Sequence, residues 1–308
     1  MPRFQFIRDQ LAAAIQRGER TGPLDLRNLN RIIRHTPEDM TVTVEAGVTL
    51  AELQRQIARF EQWLPLDPPV AEAATIADLV LNDLSGPRRF GFGTVRDHLL
   101  GISVICANGE LIRAGGQVVK NVAGYDLCKL FVGSHGTLGV LVEATFKLQP
   151  VPEIERFVQL RCASLDLAGK LMTAVLESNL TPTAFDLVRD QDKSLRVVLG
   201  FAGVREDVES QMTEAERLGF LEASTLDHDQ SFRCGDSPVH HTSVLPARLI
   251  DMVRNLGDLP FVARAGNGIL YSRAEQSGNS TPLPAVLALM RRVKDTLDPT
   301  HVFPELRL

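Results

Sequence analysis

Long apolar runs are absent from this sequence of 308 residues, and so are the paired cysteines of common metal sites. No apolar stretch reaches the roughly 18 residues of a membrane-spanning helix. The net charge is −5 and no basic run is interleaved with aromatic residues, which argues against nucleic-acid binding. No C-x-x-C motif occurs, which argues against an iron–sulfur or structural zinc site. We expect the four cysteines to be small buried side chains in a reducing cytoplasm: Cys106, Cys128, Cys162 and Cys234.

Two common nucleotide-binding signatures are also missing. Neither G-x-x-x-x-G-K-[ST] nor a G-x-G-x-x-G after a strand occurs, so the sequence predicts neither a P-loop nor a Rossmann fold. The N-terminal segment lacks the uninterrupted apolar region of a secretory signal. It predicts an amphipathic helix instead, whose apolar face consists of Phe6, Ile7, Leu11, Ala14 and Ile15.

Glycine, by contrast, is concentrated in one region. Six glycines lie within residues 115–140, whose sequence is GGQVVKNVAGYDLCKLFVGSHGTLGV. Glycine loses the most backbone entropy on folding, so a cluster is expected where the backbone bends sharply or approaches a ligand closely. The run leads into an apolar segment that predicts a strand. We therefore expect backbone N–H groups of this loop to meet a bound group, as in an anion-binding nest.

The first half of the chain predicts short strands and helices. Alternating residues predict strands over 24–29 and 41–48, and Thr49 with Glu52 predicts a capping box. A short helix begins in 74–84 and breaks at Ser85-Gly86-Pro87. Asn108-Gly109 predicts a hairpin with a type I′ turn within 99–116. One or two helical turns over 126–132 and a strand over 138–148 complete this half.

The second half predicts alternating strands and helices. Strands are expected at 156–161, 183–189, 195–201, 240–245, 259–264 and 268–272, and helices at 166–179, 204–218, 246–255 and 282–297. This order suits helices on one face of an antiparallel sheet. The sequence thus predicts an α+β protein with one domain over 1–150 and a second over 151–308.

Several motifs carry a family resemblance. They are TVTVEAGVTLAELQ, WLPLDPP, LSGPRR and the long phrase VVKNVAGYDL…LFVGSHGTLGV, with RAGNGIL and the tail VKDTLDPTHVF in the second half. Together they resemble FAD-linked oxidases of the vanillyl-alcohol-oxidase type, and within these the smaller flavin subunit of bacterial glycolate oxidases. The resemblance is strong over residues 24–150 and weak beyond them.

The resemblance implies a PCMH-type FAD-binding domain of two α+β subdomains, followed by an α+β cap domain with an antiparallel sheet. FAD would lie extended between the subdomains, its pyrophosphate held by backbone N–H groups. Flavin also needs an apolar slot and small residues beside its ring. Carried over by motif, the implied FAD contacts are Pro65, Leu66, Asp67, Pro68, Ser85, Gly86, Gly91, Gly93, Asp97, Gly133, Gly136, Thr137, Leu138, Gly139 and Val140.

Two departures from the family pattern bear on the cofactor. The β–α–β segment with its RGGGT-like loop is expected to be deleted or reduced, since only 23 residues precede Leu24 and the nearest text is RGERTG at 17–22. A wrongly chosen start codon is the alternative. Ala77 and Asp78 stand where the family has a glycine pair, and Asp83 follows Asn82. A carboxylate at ~4 Å from a phosphate charge costs about 4 kcal/mol at an effective dielectric near 20.

These observations leave three functions open. The chain is an FAD-binding subunit of a glycolate (2-hydroxy acid) dehydrogenase complex that relays electrons, a flavin-free structural subunit of such a complex, or a free-standing flavin oxidase. The implied partners are a larger catalytic flavin subunit and an iron–sulfur subunit. We expect a cytoplasmic location, with any membrane contact made through partners. We assign no catalytic residue and no metal ligand.

Other polar residues have a functional and a structural reading each. His135 is a proton carrier or, as we favour, a loop residue with backbone contacts. Arg88-Arg89 could pair with phosphate or form a surface salt bridge. Adjacent strand residues such as His240-His241 point to opposite faces and do not readily chelate one ion. Tyr125-Asp126 orients a flavin or caps a helix, and Lys120-Asn121 contacts a flavin or a partner, or forms structural hydrogen bonds.

Overall fold

The computed structural model of the chain describes residues 2–22, 24–116, 127–223, 226, 228–233, 238–274 and 283–306. Its α-helices are α1 Gln5–Arg17, α2 Leu50–Ile57, α3 Ile76–Leu81, α4 Arg89–Phe92, α5 Val95–His98, α6 Cys128–Phe131, α7 Leu165–Glu177, α8 Arg205–Arg217, α9 His228–Arg233, α10 Leu249–Arg254 and α11 Pro284–Leu297. Its strands are β1 Ile32–Thr36, β2 Thr41–Glu45, β3 Gln62–Trp63, β4 Leu99–Ile105, β5 Leu111–Gly115, β6 Val140–Lys147, β7 Gln149–Pro150, β8 Ile154–Cys162, β9 Ala184–Arg189, β10 Leu195–Gly203, β11 Leu221–Ala223, β12 His240–Ser243, β13 Phe261–Arg264 and β14 Ile269–Ser272.

The chain forms two compact units. The first consists of Met1–Leu84, Thr94–Val151 and Thr281–Leu308, and the second of Ser85–Gly93 and Pro152–Ser280. No helix among the described residues is both long and apolar enough to cross a membrane. The predicted α+β class is confirmed.

The first unit is built on a five-stranded antiparallel sheet in the order β1-β2-β6-β4-β5. Leu141 and Phe146 of β6 enter one core with α2 and α3. Strict alternation does not hold along β6, because its pairing with β4 shifts register between Ser103 and Val104. Val140 and Val142 enter a second core on the opposite face. Helix α1 covers that face with Ile7, Leu11 and Ala14, as its apolar spacing predicts. The predicted face is partly wrong, because Ile15 is exposed.

The second unit is built on a seven-stranded antiparallel sheet in the order β11-β8-β10-β9-β13-β14-β12. Helices α7, α8 and α10 pack on one face, with Phe185, Leu187 and Val197 beneath them. The prediction of an antiparallel cap sheet with helices on one face is therefore confirmed for α7, α8 and α10. Two elements were not predicted: the short strand β11 and helix α9, whose Phe232 packs near Val188 in a small core distinct from that of the other helices.

Two local predictions in the first unit are wrong. Residues 24–29 form no strand; Leu29 N–H donates to Leu26 C=O at 2.8 Å, and Gly47 N–H donates to Leu29 C=O at 2.8 Å. Leu29 is buried and Leu24 and Leu26 are partly buried, without a ladder partner. The hairpin turn is not type I′, because Gly109 has φ +78° and Asn108 does not have a positive φ. Its Gly109 N–H instead donates to Cys106 C=O, giving a longer loop that ends on a left-handed glycine.

Candidate functional site

The glycine-rich turn between α6 and β6 is fixed against the end of helix α3. Gly133 N–H donates to Val80 C=O at 3.0 Å, and His135 N–H donates to Leu81 C=O at 2.8 Å. Gly133 and Gly136 both have φ +73°, a left-handed conformation that favours glycine. The sequence-based expectation of a sharply bending glycine loop before a strand is confirmed, but two of its N–H groups bond to α3.

His135 is a structural residue of this turn. Its Nδ1 lies 2.9 Å from Oδ1 of Asn82, and the ring is exposed. Because the amide oxygen accepts, Nδ1 carries the proton in this contact. The loop interpretation of His135 is therefore the one the contacts support.

A buried lysine, which the sequence analysis missed, anchors the other side of the turn. Lys294 of α11 donates from Nζ to Thr137 C=O at 2.8 Å and to Asp298 Oδ2 at 2.5 Å. Asp298 also accepts from Val302 N–H and Phe303 N–H, each at 3.0 Å. The sequence did contain a signal for this contact. The tail VKDTLDPTHVF has a lysine and an aspartate four residues apart, and such i,i+4 pairs meet on a helix.

The segment that replaces the family's glycine pair is closed by its own hydrogen bonds. Ile76 N–H donates to Val48 C=O and Ala77 N–H to Ala46 C=O, both at 2.8 Å. Thr75 caps α3 in a full capping box, in which Asp78 N–H donates to Thr75 Oγ1 at 3.1 Å and Thr75 N–H to the Asp78 carboxylate at 3.0 Å. These donors are occupied, and a carboxylate lies beside them. Residues 75–78 therefore do not fit a dinucleotide pyrophosphate.

The predicted FAD contacts differ widely in accessibility. Those that are buried are Pro65, Leu66, Pro68, Ser85, Gly86, Thr137, Leu138, Gly139 and Val140. Those that are partly or fully exposed are Asp67, Gly91, Gly93, Asp97, Gly133 and Gly136. Val140 packs in one core with Phe4, Ile7 and Leu11 of the N-terminal segment. The assignment of all fifteen as cofactor contacts stays a prediction.

These residues are divided between the two units. Ser85, Gly86, Gly91 and Gly93 belong to the second unit and the others to the first. Asp97 caps its own short helix: Thr94 N–H donates to its carboxylate at 2.8 Å, and this bond holds the pKa of Asp97 below its usual value. Lys120, Asn121, Tyr125 and Asp126 lie outside the described residues.

A cavity of about 340 Å³ opens beside the turn in the first unit. Its apolar lining comes from α6, α11 and the start of the sheet, with Arg96, Lys129 and His135 as its basic members. The apolar residues are Leu130, Val132, Leu138, Leu289, Met290, Val293 and Leu306.

The paired arginines of the second unit are engaged by protein groups. Arg88 forms a bidentate ion pair with Glu155, in which Nε donates to Oε1 at 2.7 Å and Nη2 donates to Oε2 at 2.6 Å. Arg89 donates from Nη1 to Ser85 Oγ at 2.8 Å. For Arg88, the salt-bridge interpretation is confirmed rather than phosphate binding.

The second unit contains a buried charged cluster that sequence reasoning missed. Arg264 of β13 donates to Asp186 of β9 at 2.5 Å and also pairs with Asp229, while His228 Nε2 lies 2.7 Å from Asp186. Burial alone would raise the pKa of Asp186, but Arg264 and His228 outweigh it and lower that pKa. Burial opposes the charge of Arg264, but Asp186 and Asp229 raise its pKa above the ordinary value.

Neither histidines nor cysteines assemble a metal site in the described part of the chain. No group of three His, Cys, Asp or Glu side chains there could hold an ion. Cys106, Cys128 and Cys162 form no disulfide, and Cys128 is buried. His241 contacts Tyr271 across the strand pair, and burial followed by the charges of Arg233 and Arg89 lowers its pKa.

The fold agrees with comparisons to known proteins. Residues 12–115 match the sequence model of a family described as FAD binding domain. Residues 12–115 therefore correspond to a PCMH-type FAD-binding domain. An alkyldihydroxyacetonephosphate synthase structure superposes with a TM-score of 0.71 over 97% of this chain and 74% of the synthase. At 17% identity, that similarity concerns the fold alone.

Glycolate oxidase subunits are among the homologues. Subunit GlcD of Bacillus subtilis is 33% identical over 162 residues, which are 53% of this chain and 34% of GlcD. Subunit GlcE of Escherichia coli is 39% identical over 150 residues, 47% of this chain and 43% of GlcE. A mitochondrial D-lactate dehydrogenase [cytochrome] of Arabidopsis thaliana is 35% identical over 130 residues, 42% of this chain and 23% of that enzyme. The matches thus span less than half the length of these relatives.

Proposed function

We propose that this chain is a subunit of an FAD-linked oxidoreductase complex that acts on glycolate or another 2-hydroxy acid. The relatives support this substrate class, because the names of several are those of glycolate, D-lactate and D-2-hydroxyglutarate enzymes. The family resemblance implies a larger flavin subunit and an iron–sulfur subunit as partners, and the sequence itself has no C-x-x-C motif for an iron–sulfur centre. A cytoplasmic location stays a prediction.

Within the complex, the geometry favours a structural role without a flavin of its own. One observation carries this proposal: the N–H groups of Ile76 and Ala77 are bonded to Val48 and Ala46, and Asp78 adds negative charge beside them. A pyrophosphate needs free donors and the absence of nearby carboxylates. The chain would then stabilise the catalytic subunits by docking to them.

Co-expression tests the subunit proposal. The flavin and iron–sulfur subunits of the same source would be produced with and without this chain, and glycolate-dependent reduction of a dye would be measured. We expect the full set to assemble and to reduce the dye, and the set without this chain to lose most activity. Equal activity and assembly without this chain would refute the proposal.

A second role, as an FAD-carrying electron relay, is favoured by a different observation. An apolar cavity opens beside the turn residues Gly133 and Thr137, at the part of the motif that the family resemblance assigns to FAD. If flavin binds there, Gly136→Asp should remove it from the isolated chain, since the substitution adds charge and strains a backbone with φ +73°. Gly22→Asp, at an exposed glycine with open space around it, is the control. Unchanged flavin content in Gly136→Asp would exclude this site.

A further inference from the structure

The first half of helix α11 is apolar and faces solvent. Every residue from Leu283 to Met290 is apolar, and most are exposed. Val286 and Leu289 lie three residues apart on one face and are 45% and 59% exposed. Isolated exposed leucines are ordinary, but a contiguous apolar helix surface indicates a site of interaction.

The cavity beside the glycine turn extends this apolar surface. Leu289 lines the cavity as well as being exposed, so the helix surface and the cavity are continuous. Across the cavity, Leu130 of α6 is also exposed. Together α11, α6 and the turn form a groove, and we call it the α11 groove. Such a groove fits the apolar face of an amphipathic helix, whose anchor residues recur at intervals of three and four.

The charge around the α11 groove is positive. Among the residues that line its cavity, Arg96 and Lys129 are cationic and none is acidic. Asp97 lies near Lys129, but its carboxylate is bonded to Thr94. This positive rim contrasts with the whole chain, whose net charge is −5.

The charge also indicates which kind of partner fits. In a symmetric dimer, each subunit presents the same patch to the other, so two copies would bring Arg96 and Lys129 against their own equivalents. A partner with acidic residues beside apolar anchors would be attracted instead.

We propose that the α11 groove receives an acidic amphipathic helix from another subunit of the oxidoreductase complex. This proposal rests on the proposed function, because it needs the chain to be a subunit. Val286 and Leu289 are the apolar anchors on this chain, and Arg96 and Lys129 select for acidic residues on the partner. A groove of this kind fixes both orientation and register of the docked helix.

The test is capture of the full chain by co-expressed, tagged flavin and iron–sulfur subunits of the same source. Leu289→Glu and Val286→Glu introduce a charge at exposed positions, so the fold should persist, as circular dichroism would verify. Leu176→Glu, at an exposed leucine of α7 in the second unit, is the matched control. We expect capture to fall about tenfold or more for the two α11 variants and to stay unchanged for the control. Arg96→Glu should weaken capture at low salt and flatten its salt dependence.

The outcomes separate this proposal from the proposed function. Equal capture of wild type and Leu289→Glu would overturn the α11 groove while leaving the subunit role intact. No capture of wild type would overturn both. A wild-type dimer in sedimentation that Leu289→Glu converts to monomer would show that a second copy occupies the groove, and would overturn the proposal as well.

Discussion

A single buried cation connects the tail of the chain to the glycine turn. Lys294 is 4% exposed and bonds to Thr137 C=O and to Asp298, which is fully buried. Removing one partner of a buried ion pair leaves the other charge uncompensated, which is far more costly than losing a surface pair. The position of the turn therefore depends on a residue more than 150 positions away in the sequence.

We expect Lys294→Met to lower the free energy of unfolding by about 3 kcal/mol. This is the low end of the range for broken buried pairs, because Asp298 keeps two backbone donors. Urea denaturation followed by circular dichroism would measure the loss. Asp295→Asn, an exposed change on the same helix, should have almost no effect. Equal free energies of unfolding for Lys294→Met and wild type would show that the Lys294–Asp298 pair does not stabilise the C-terminal segment.

The glycine pair missing from residues 77–78 gives a second prediction at this scale. Restoring it as Ala77→Gly with Asp78→Gly should not restore FAD binding, because the N–H groups of residues 76 and 77 still bond to Val48 and Ala46. Loss of the capping box should lower the free energy of unfolding by about 1 kcal/mol. Equilibrium dialysis with FAD and urea denaturation would measure the two effects. Thr75→Ala is the control for the lost cap, and tight FAD binding by the double variant would contradict the account.

The buried cluster of the second unit predicts a pH dependence. The folded-state pKa of Asp186 is below its ordinary value of 3.8, so the unfolded chain takes up a proton at higher pH than the folded chain does. The contribution of the Asp186 carboxylate to the free energy of unfolding is complete above pH 3.8 and is lost as pH falls through the folded-state pKa. We expect Asp186→Asn to be less stable than wild type at pH 7, and the difference in stability to narrow only below pH 3.8.

Urea midpoints of both proteins between neutral and acidic pH would measure this gap. Asp166→Asn, at an exposed carboxylate of the same unit, is the control and should show no comparable convergence with wild type. A gap that stays constant into the acid range would mean that Asp186 does not stabilise the fold through its charge.

At the scale of elements, the spacing of apolar residues predicted most helices and strands, but it did not show whether a segment has a strand to pair with. The helices over 165–177 and 205–217 and the strands over 184–189 and 195–203 lie within a few residues of their predicted bounds, since alternation and 3.6-residue spacing reflect burial directly. Residues 24–29 show the same alternation, but Leu29 is buried and Leu24 and Leu26 are partly buried without any strand to pair with. Alternation thus reports burial, whereas a strand also needs a ladder partner.

The site was harder to predict than the fold, and for physical reasons. The glycine turn could be located because left-handed backbone favours glycine. Its anchoring to Val80, Leu81 and Lys294 could not, because these contacts join segments distant in sequence. The cluster of Arg264 with Asp186 and Asp229 is likewise a product of sheet register, in which Arg264 lies opposite Asp186.

The hairpin between β4 and β5 gives a prediction for one element. Gly109 has φ +78°, and a Cβ there would meet Arg8 Cγ at 3.7 Å, an ordinary contact, so the cost of a side chain is backbone strain and not a clash. Gly109→Ala should lower the free energy of unfolding by about 1–2 kcal/mol. Gly22→Ala, where φ is not in the left-handed region, is the control and should change little. Thermal or urea unfolding measures both, and equal effects would show that the turn tolerates a different conformation.

At the scale of the whole molecule, the family fold is retained while one part of its cofactor site is closed. Residues 12–115 match an FAD binding domain, and the fold is that of an alkyldihydroxyacetonephosphate synthase structure. Residues 75–78, however, use their backbone donors and a carboxylate to complete the fold. Under the proposed function, the chain would keep the fold for docking and leave the flavin chemistry to its partners.

The decisive measurement is the amount of FAD bound by the purified full chain. The chain would be incubated with excess FAD and passed through a gel-filtration column, and the flavin absorbance of the protein peak would be compared with its protein content. The account predicts a folded protein with almost no retained flavin. Retention of close to one FAD per chain would contradict it, because the closed segment at 75–78 would then not prevent binding and the electron-relay role would replace the structural one.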